Sequence, residues 1–179
     1  MAIDRARSAR GALAGTVAAA VWALQQPLDQ RVFGVRYDDT ELLGKLVTRG
    51  RDWRAAGLVL HLVNGAAFGA VYASVVARRL PLPPWARGPA AALGEHLGSW
   101  PLVLLTDHVH PARAELPTLG SNPRAFAQAT WRHLLFGTVL GELERRLNPE
   151  PDDDRSSHEH VPSTNGHGNI EHAMTVRES

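Results

Sequence analysis

The chain has 179 residues, no cysteine, and 19 Lys+Arg against 18 Asp+Glu, for a formal net charge of +1. That length suits one domain. The balanced charge excludes a strongly basic nucleic-acid footprint, and the missing cysteine excludes disulfides, thiolate metal sites and cysteine nucleophiles. The mean hydropathy, −0.18, looks soluble, but a polar stretch after Leu147 and a polar connector early in the chain pull the average down.

Four apolar segments follow one another, at about residues 11–28, 55–77, 88–106 and 125–143. They predict an all-α fold, a four-transmembrane-helix bundle over 1–147 with a disordered tail over 148–179. The first segment is alanine-rich and preceded by Arg5, Arg7 and Arg10. It has the look of a signal peptide, with Ala18 and Ala20 as small cleavage-site residues, but its Gly11/Gly15 pair matches the later segments and predicts a retained anchor. In the connector over 29–54, Asp38-Asp39-Thr40 is a helix cap. Leu42, Leu43, Leu46 and Val47 would form that helix's apolar face, on the membrane surface, over the bundle mouth, or in a plain amphipathic connector.

The second segment has no formal charge and would extend about 34 Å as a helix, enough for a hydrocarbon core about 30 Å thick. The third carries Glu95 and His96 and runs into Asp107-His108-Val109-His110. A loop stiffened by Pro111, Pro117 and Pro123 comes next. The fourth carries Arg132 and His133 in its first half and Glu142 at its end, where Arg145 or Arg146 can pair with it. The polar tail contains His158-Glu159-His160, read as solvated chain.

Each segment contains one G-x-x-x-G: Gly11/Gly15, Gly65/Gly69, Gly94/Gly98 and Gly137/Gly141. Residues four apart share a helix face. Glycine costs a helix in water up to about 1 kcal/mol relative to alanine, whereas small-xxx-small stripes let helices approach closely in lipid. The pattern predicts a glycine packing seam in every helix, and a homo-oligomer if a glycine face is left over. The second and fourth segments share a longer stripe, His61-Leu62-x-x-Gly65-x-x-x-Gly69 and His133-Leu134-x-x-Gly137-x-x-x-Gly141, as two weakly repeated hairpins would. Trp22, Trp53 and Trp85 lie near segment ends, as an interfacial belt requires. Four crossings put both termini on one side. Basic residues are evenly matched between the two sides, and the denser arginines at the terminal side lean that side toward the cytoplasm.

His61, Asn64, Glu95, His96 and His133 fall at similar depth and form a predicted intramembrane polar cluster. Ionisable groups there are expensive and invite a functional reading. Three readings stay open: a structural hydrogen-bond network with an interaction role, a proton or ion conduit, and a haem or metal site in which His61, His96, His133, Asp107, His108 and His110 would be the ligands. No cofactor is expected in the first two. Nucleotide-loop, nucleophile-elbow and zinc-protease patterns are absent, so no catalytic residue and no enzyme activity is predicted.

One further likeness rests on span order. His61-Leu62-Val63-Asn64 opens a span that ends before Arg78-Arg79-Leu80-Pro81. Trp85, a Gly/Ala-led span and a proline-rich loop follow, then Trp131-Arg132-His133-Leu134 running into Glu142-Leu143-Glu144-Arg145-Arg146. This order resembles the YagU-like family of small bacterial inner-membrane proteins, over roughly residues 55–147. The resemblance implies a multi-pass α-helical protein of the inner membrane with no catalytic residue to carry over.

Overall fold

The computed structural model describes residues 4–149. The chain divides into two units, Met1–Asn148 and Pro149–Ser179; the disordered tail expected from 148 onward lies outside the described residues apart from its first two. The first unit is all-helical: α1 (Arg5–Phe33), α2 (Asp39–Val47), α3 (Trp53–Val71) running into a π-helical turn (Tyr72–Val76), α4 (Pro84–Val109) and α5 (Pro123–Leu147).

Local chemistry sets the boundaries. The Asp4 carboxylate caps α1 through the Arg7 amide. At the other end Gly34 takes the left-handed conformation (φ 68°) that glycine adopts without steric cost. Asp38 caps α2 by accepting from the Thr40 and Glu41 amides. Asn122 caps α5, and Pro123 is its first residue, where the missing N–H costs nothing. Pro123 therefore starts a helix and does not belong to the loop. Three of the long helices, α1, α4 and α5, outrun their apolar segments at both ends, whereas α3 with its π turn nearly coincides with its own.

Among the described residues one helix, Trp53–Val76, is long and apolar enough to cross a membrane, with mean hydropathy 1.6. The other three long helices carry ionisable groups or internal prolines (Pro27, Pro89 and Pro101).

Glycine seams join the helices in pairs. A Cβ at Gly15 would strike the Gly65 carbonyl, and one at Gly69 the Gly11 carbonyl, so α1 and α3 touch backbone to backbone. Gly137 and Gly141 of α5 meet Gly88 of α4 in the same way, and Gly44 of α2 crosses Gly57 of α3. Gly94 and Gly98 break the expected pattern. Nothing lies within 4 Å of the Cβ position at either, and both are exposed. The seam on α4 is set by Gly88, which sits one helical face away.

In the π turn the Ala77 amide reaches back to the Tyr72 carbonyl (2.8 Å). The Ala73 carbonyl, which Ala77 would take in an α-helix, is claimed by Arg7 Nε (2.8 Å). Arg7 Nη2 also binds Glu144 (2.6 Å), tying α1, the π turn and α5 together at the end where α1 begins and α5 finishes. Glu142 pairs with Arg145 and Arg146 as its spacing predicts. At the opposite, connector end, Lys45 of α2 binds Glu115 (2.8 Å), and His110 Nε2 donates to the Leu42 carbonyl (3.0 Å).

The long helices pack in the spatial order α3, α1, α5, α4. α3 and α4, the two ends of this arc, do not pack along one another as the neighbouring pairs do; the π turn beyond α3 packs against α4.

Candidate functional site

The gap between α3 and α4 is a half-open cleft of about 460 Å³, within the usual range for small-molecule sites. Asn64, Phe68 and Val71 of α3 form one wall, and Glu95, Ser99 and Trp100 of α4 the other. Trp22 of α1 and His133 and Phe136 of α5 close the back, and Leu42 and Leu43 of α2 lie over the connector end. The α2 face is split, since Leu46 and Val47 are exposed. Trp22 is no belt residue. It is 7% exposed and meets His61, His133 and Phe136 edge-on, with ring centroids 5.3, 4.8 and 6.1 Å away.

All five residues of the expected polar cluster line this cleft: His61, Asn64, Glu95, His96 and His133. The geometry specifies their protons. His133 Nδ1 faces the Ala129 carbonyl at 2.7 Å and can only donate. Its Nε2 faces Glu95 Oε2 at 3.0 Å. One proton therefore lies in the His133–Glu95 bond, making an imidazolium–carboxylate pair when it sits on nitrogen. Thr130 Oγ1 donates to the Phe126 carbonyl (2.8 Å), so it accepts from His96 Nε2 (3.0 Å). His96 is thus the Nε2–H tautomer, stacked on His133 with centroids 4.5 Å apart. His61 Nε2 donates to the Ala19 carbonyl (3.1 Å) across the glycine seam.

Asp107, His108 and His110 stand apart from this group. Asp107 accepts from the Leu119 and Gly120 amides and fastens the proline loop. His110 accepts from the Ala112 amide on Nδ1 and donates from Nε2, which uses both nitrogens. His108 is exposed. Among the described residues no three His, Asp or Glu side chains come together as a metal-holding group. The six residues considered as ligands divide between the cleft, which holds His61, His96 and His133, and the end of α4, which holds Asp107, His108 and His110.

Behind the cleft lies a charged core that the sequence reading missed. Arg132, with no exposed side-chain surface, donates from Nε and Nη2 to both oxygens of Asp29, each at 2.6 Å. Its Nη1 reaches Asp39 Oδ2 (2.7 Å), and Nη2 also reaches the Tyr37 carbonyl (2.9 Å). Gln25 and Gln128 each donate to Asp29 (2.6 Å), and Trp22 Nε1 donates to Asp39 (3.0 Å). Burial pushes the Asp39 carboxyl up, but Arg132 and the Tyr37 hydroxyl outweigh it and hold the group below its ordinary range. Burial, reinforced by Asp39, pushes the Tyr37 hydroxyl well above its ordinary value, so it stays a donor. The available signal was Arg132 inside an apolar segment. Its partner was hidden because Asp29 follows the last apolar residue of the first segment. With α1 continuing to Phe33, Trp22, Gln25 and Asp29 fall at i, i+3 and i+7 on one face.

Comparison with protein-family models, with curated proteins and with solved structures found no match for this chain.

Proposed function

We propose that this chain is a four-span integral membrane protein of the bacterial inner membrane whose α3–α4 cleft is a ligand-binding site. The observation that carries the reading is a reversal of ordinary polarity. Large apolar side chains are exposed along the long helices, including Leu13, Leu24 and Leu28 of α1, Leu58, Val63 and Val71 of α3, and Leu97, Leu102 and Leu105 of α4. The buried set is instead rich in alanine and glycine and contains Arg132, Asp29, Gln128 and His96. Water disfavours large exposed apolar surface, whereas lipid-facing bundles turn it outward and keep small and polar residues inside. The resemblance to the YagU-like family agrees with this placement.

The cleft is the chemically distinctive part of that bundle. It opens sideways, between two helices, and its lining combines aromatic rings with a proton-sharing Glu95–His133 pair. Toward the terminal end the π turn that continues α3 packs against α4. That contact favours a pocket over a conduit.

Topology is directly testable, because the chain has no native cysteine. Arg78 and Ser121 are exposed at opposite ends of the long helices. Single Arg78→Cys and Ser121→Cys variants are expected to react with an impermeant maleimide from opposite faces, one in right-side-out and the other in inverted vesicles. Labelling of both from the same face overturns the four-span reading.

A further inference from the structure

Resting on the reading of the cleft as a ligand site, we propose that its ligand is a hydrophobic cation: an ammonium or other onium centre carried on an apolar body. The charge inventory of the walls points there. The two carboxylates in the lining are Glu95 and Asp39, and no lysine or arginine lines the cleft. The nearest buried cation, Arg132, is sealed behind the wall and divided between Asp29 and Asp39. One guanidinium facing two carboxylates leaves that core net negative. Glu95 makes its bond to His133 through Oε2, and its side chain is 43% exposed. The cationic form of His133 is committed to Glu95, so the negative balance of the walls rests on Asp39 and the core behind it, and an anionic ligand would meet no lysine or arginine there.

The apolar part of the lining supports the same class. Trp22, Phe68, Trp100 and Phe136 line the same cleft as Glu95, and Tyr37 the same cleft as Asp39. Aromatic faces are electron-rich and attract a cation, more strongly where water is excluded. A carboxylate next to several rings, opening toward exposed apolar helix surface, is complementary to a positive head with an apolar body. Two sources carry that chemistry: an amine-headed lipid and a free amphiphilic amine.

The test uses two ions of the same shape and opposite charge, tetraphenylphosphonium and tetraphenylborate. Binding of each to the full chain in the neutral detergent dodecyl maltoside is measured by equilibrium dialysis against protein-free micelles. Saturable binding of the phosphonium, and no binding of the borate, is expected. Glu95→Gln is expected to weaken phosphonium binding about tenfold or more, the scale of one lost charge contact. Trp100→Leu should weaken it as well, and Glu142→Gln, at the terminal surface, should leave it unchanged. If Glu95→Gln lowers the melting temperature, Glu95→Asp must retain the binding that the amide loses. Borate binding as tight as phosphonium, or full phosphonium affinity in a folded Glu95→Gln protein, overturns the cation assignment while leaving the cleft a site. Binding of neither ion overturns the cleft reading itself. Added phosphatidylethanolamine that displaces the phosphonium where phosphatidylglycerol does not identifies a lipid amine as the occupant; displacement by dodecylamine but by neither lipid identifies a free amphiphilic amine.

Discussion

Arg132 is the residue on which the buried polar core depends. Its guanidinium satisfies Asp29 on two oxygens and reaches Asp39 and the Tyr37 carbonyl. Removing one member of such a set strands the other charge, at about 3–5 kcal/mol. Arg132→Met is expected to lose about that much in detergent-solubilised thermal or denaturant unfolding, and Arg132→Met with Asp29→Leu should lose less than the single change. Asp39 carries a pH signature. Its folded-state pKa lies below the ordinary carboxylate value of about 4, so its contribution is fully present above that value and is lost as pH falls through the lower folded one. Because Trp22 donates to Asp39, tryptophan emission should show an acid transition below pH 4 that Asp39→Asn abolishes. A transition below pH 4 that survives unchanged in Asp39→Asn contradicts this assignment. The cleft histidines and Glu95 could be grouped from sequence, because their depth follows from counting along four apolar helices. The Arg132 core could not. Its second half lies past the apolar boundary, and boundaries drawn by hydropathy stop where a helix becomes polar, not where it ends.

At the level of the helix, one residue type plays two opposite parts. Gly15 and Gly65 face carbonyl groups of the neighbouring helix with no room for a methyl, whereas Gly94 and Gly98 face open space. Gly65→Ala should therefore destabilise by about 1–3 kcal/mol through overpacking, and Gly94→Ala should stabilise by up to about 1 kcal/mol through helix propensity. Melting temperatures of the two variants in the same detergent check the contrast; equal shifts in one direction would contradict the seam geometry. Sequence spacing located three of the four G-x-x-x-G pairs in real contacts and misread the third segment. Spacing identifies a stripe but says nothing about which way the helix is rotated. Gly88, the true partner on α4, has no glycine four residues away to flag it. The caps at Asp38 and Asn122 are local. That is why Asp38 could be read directly, whereas the π turn, which depends on Arg7 from another helix, could not.

For the molecule as a whole, the sequence pattern implies four long helices in two hairpins, and the helical order α3, α1, α5, α4 agrees with it. The gap between α3 and α4 has no sequence signal, because it arises from a contact that is missing. Bulky exposed residues on both walls read the same whether they face lipid, a partner or a cleft. This arc has a mechanical meaning. The two hairpins are each riveted by glycines, but they are joined mainly along one line, where α1 lies against α5. They are thus two stiff covers bound along a spine that holds the Arg132–Asp29 pair, with ties at either end from the π turn to α4 and from Lys45 and Leu42 of α2 to Glu115 and His110. The glycine seams fix each hairpin internally, so the spacing of the far edges is set by the spine and by these end ties. The width between α3 and α4, and with it the size of what can enter, therefore rests on residues outside the two walls: those of the spine and those of the end ties.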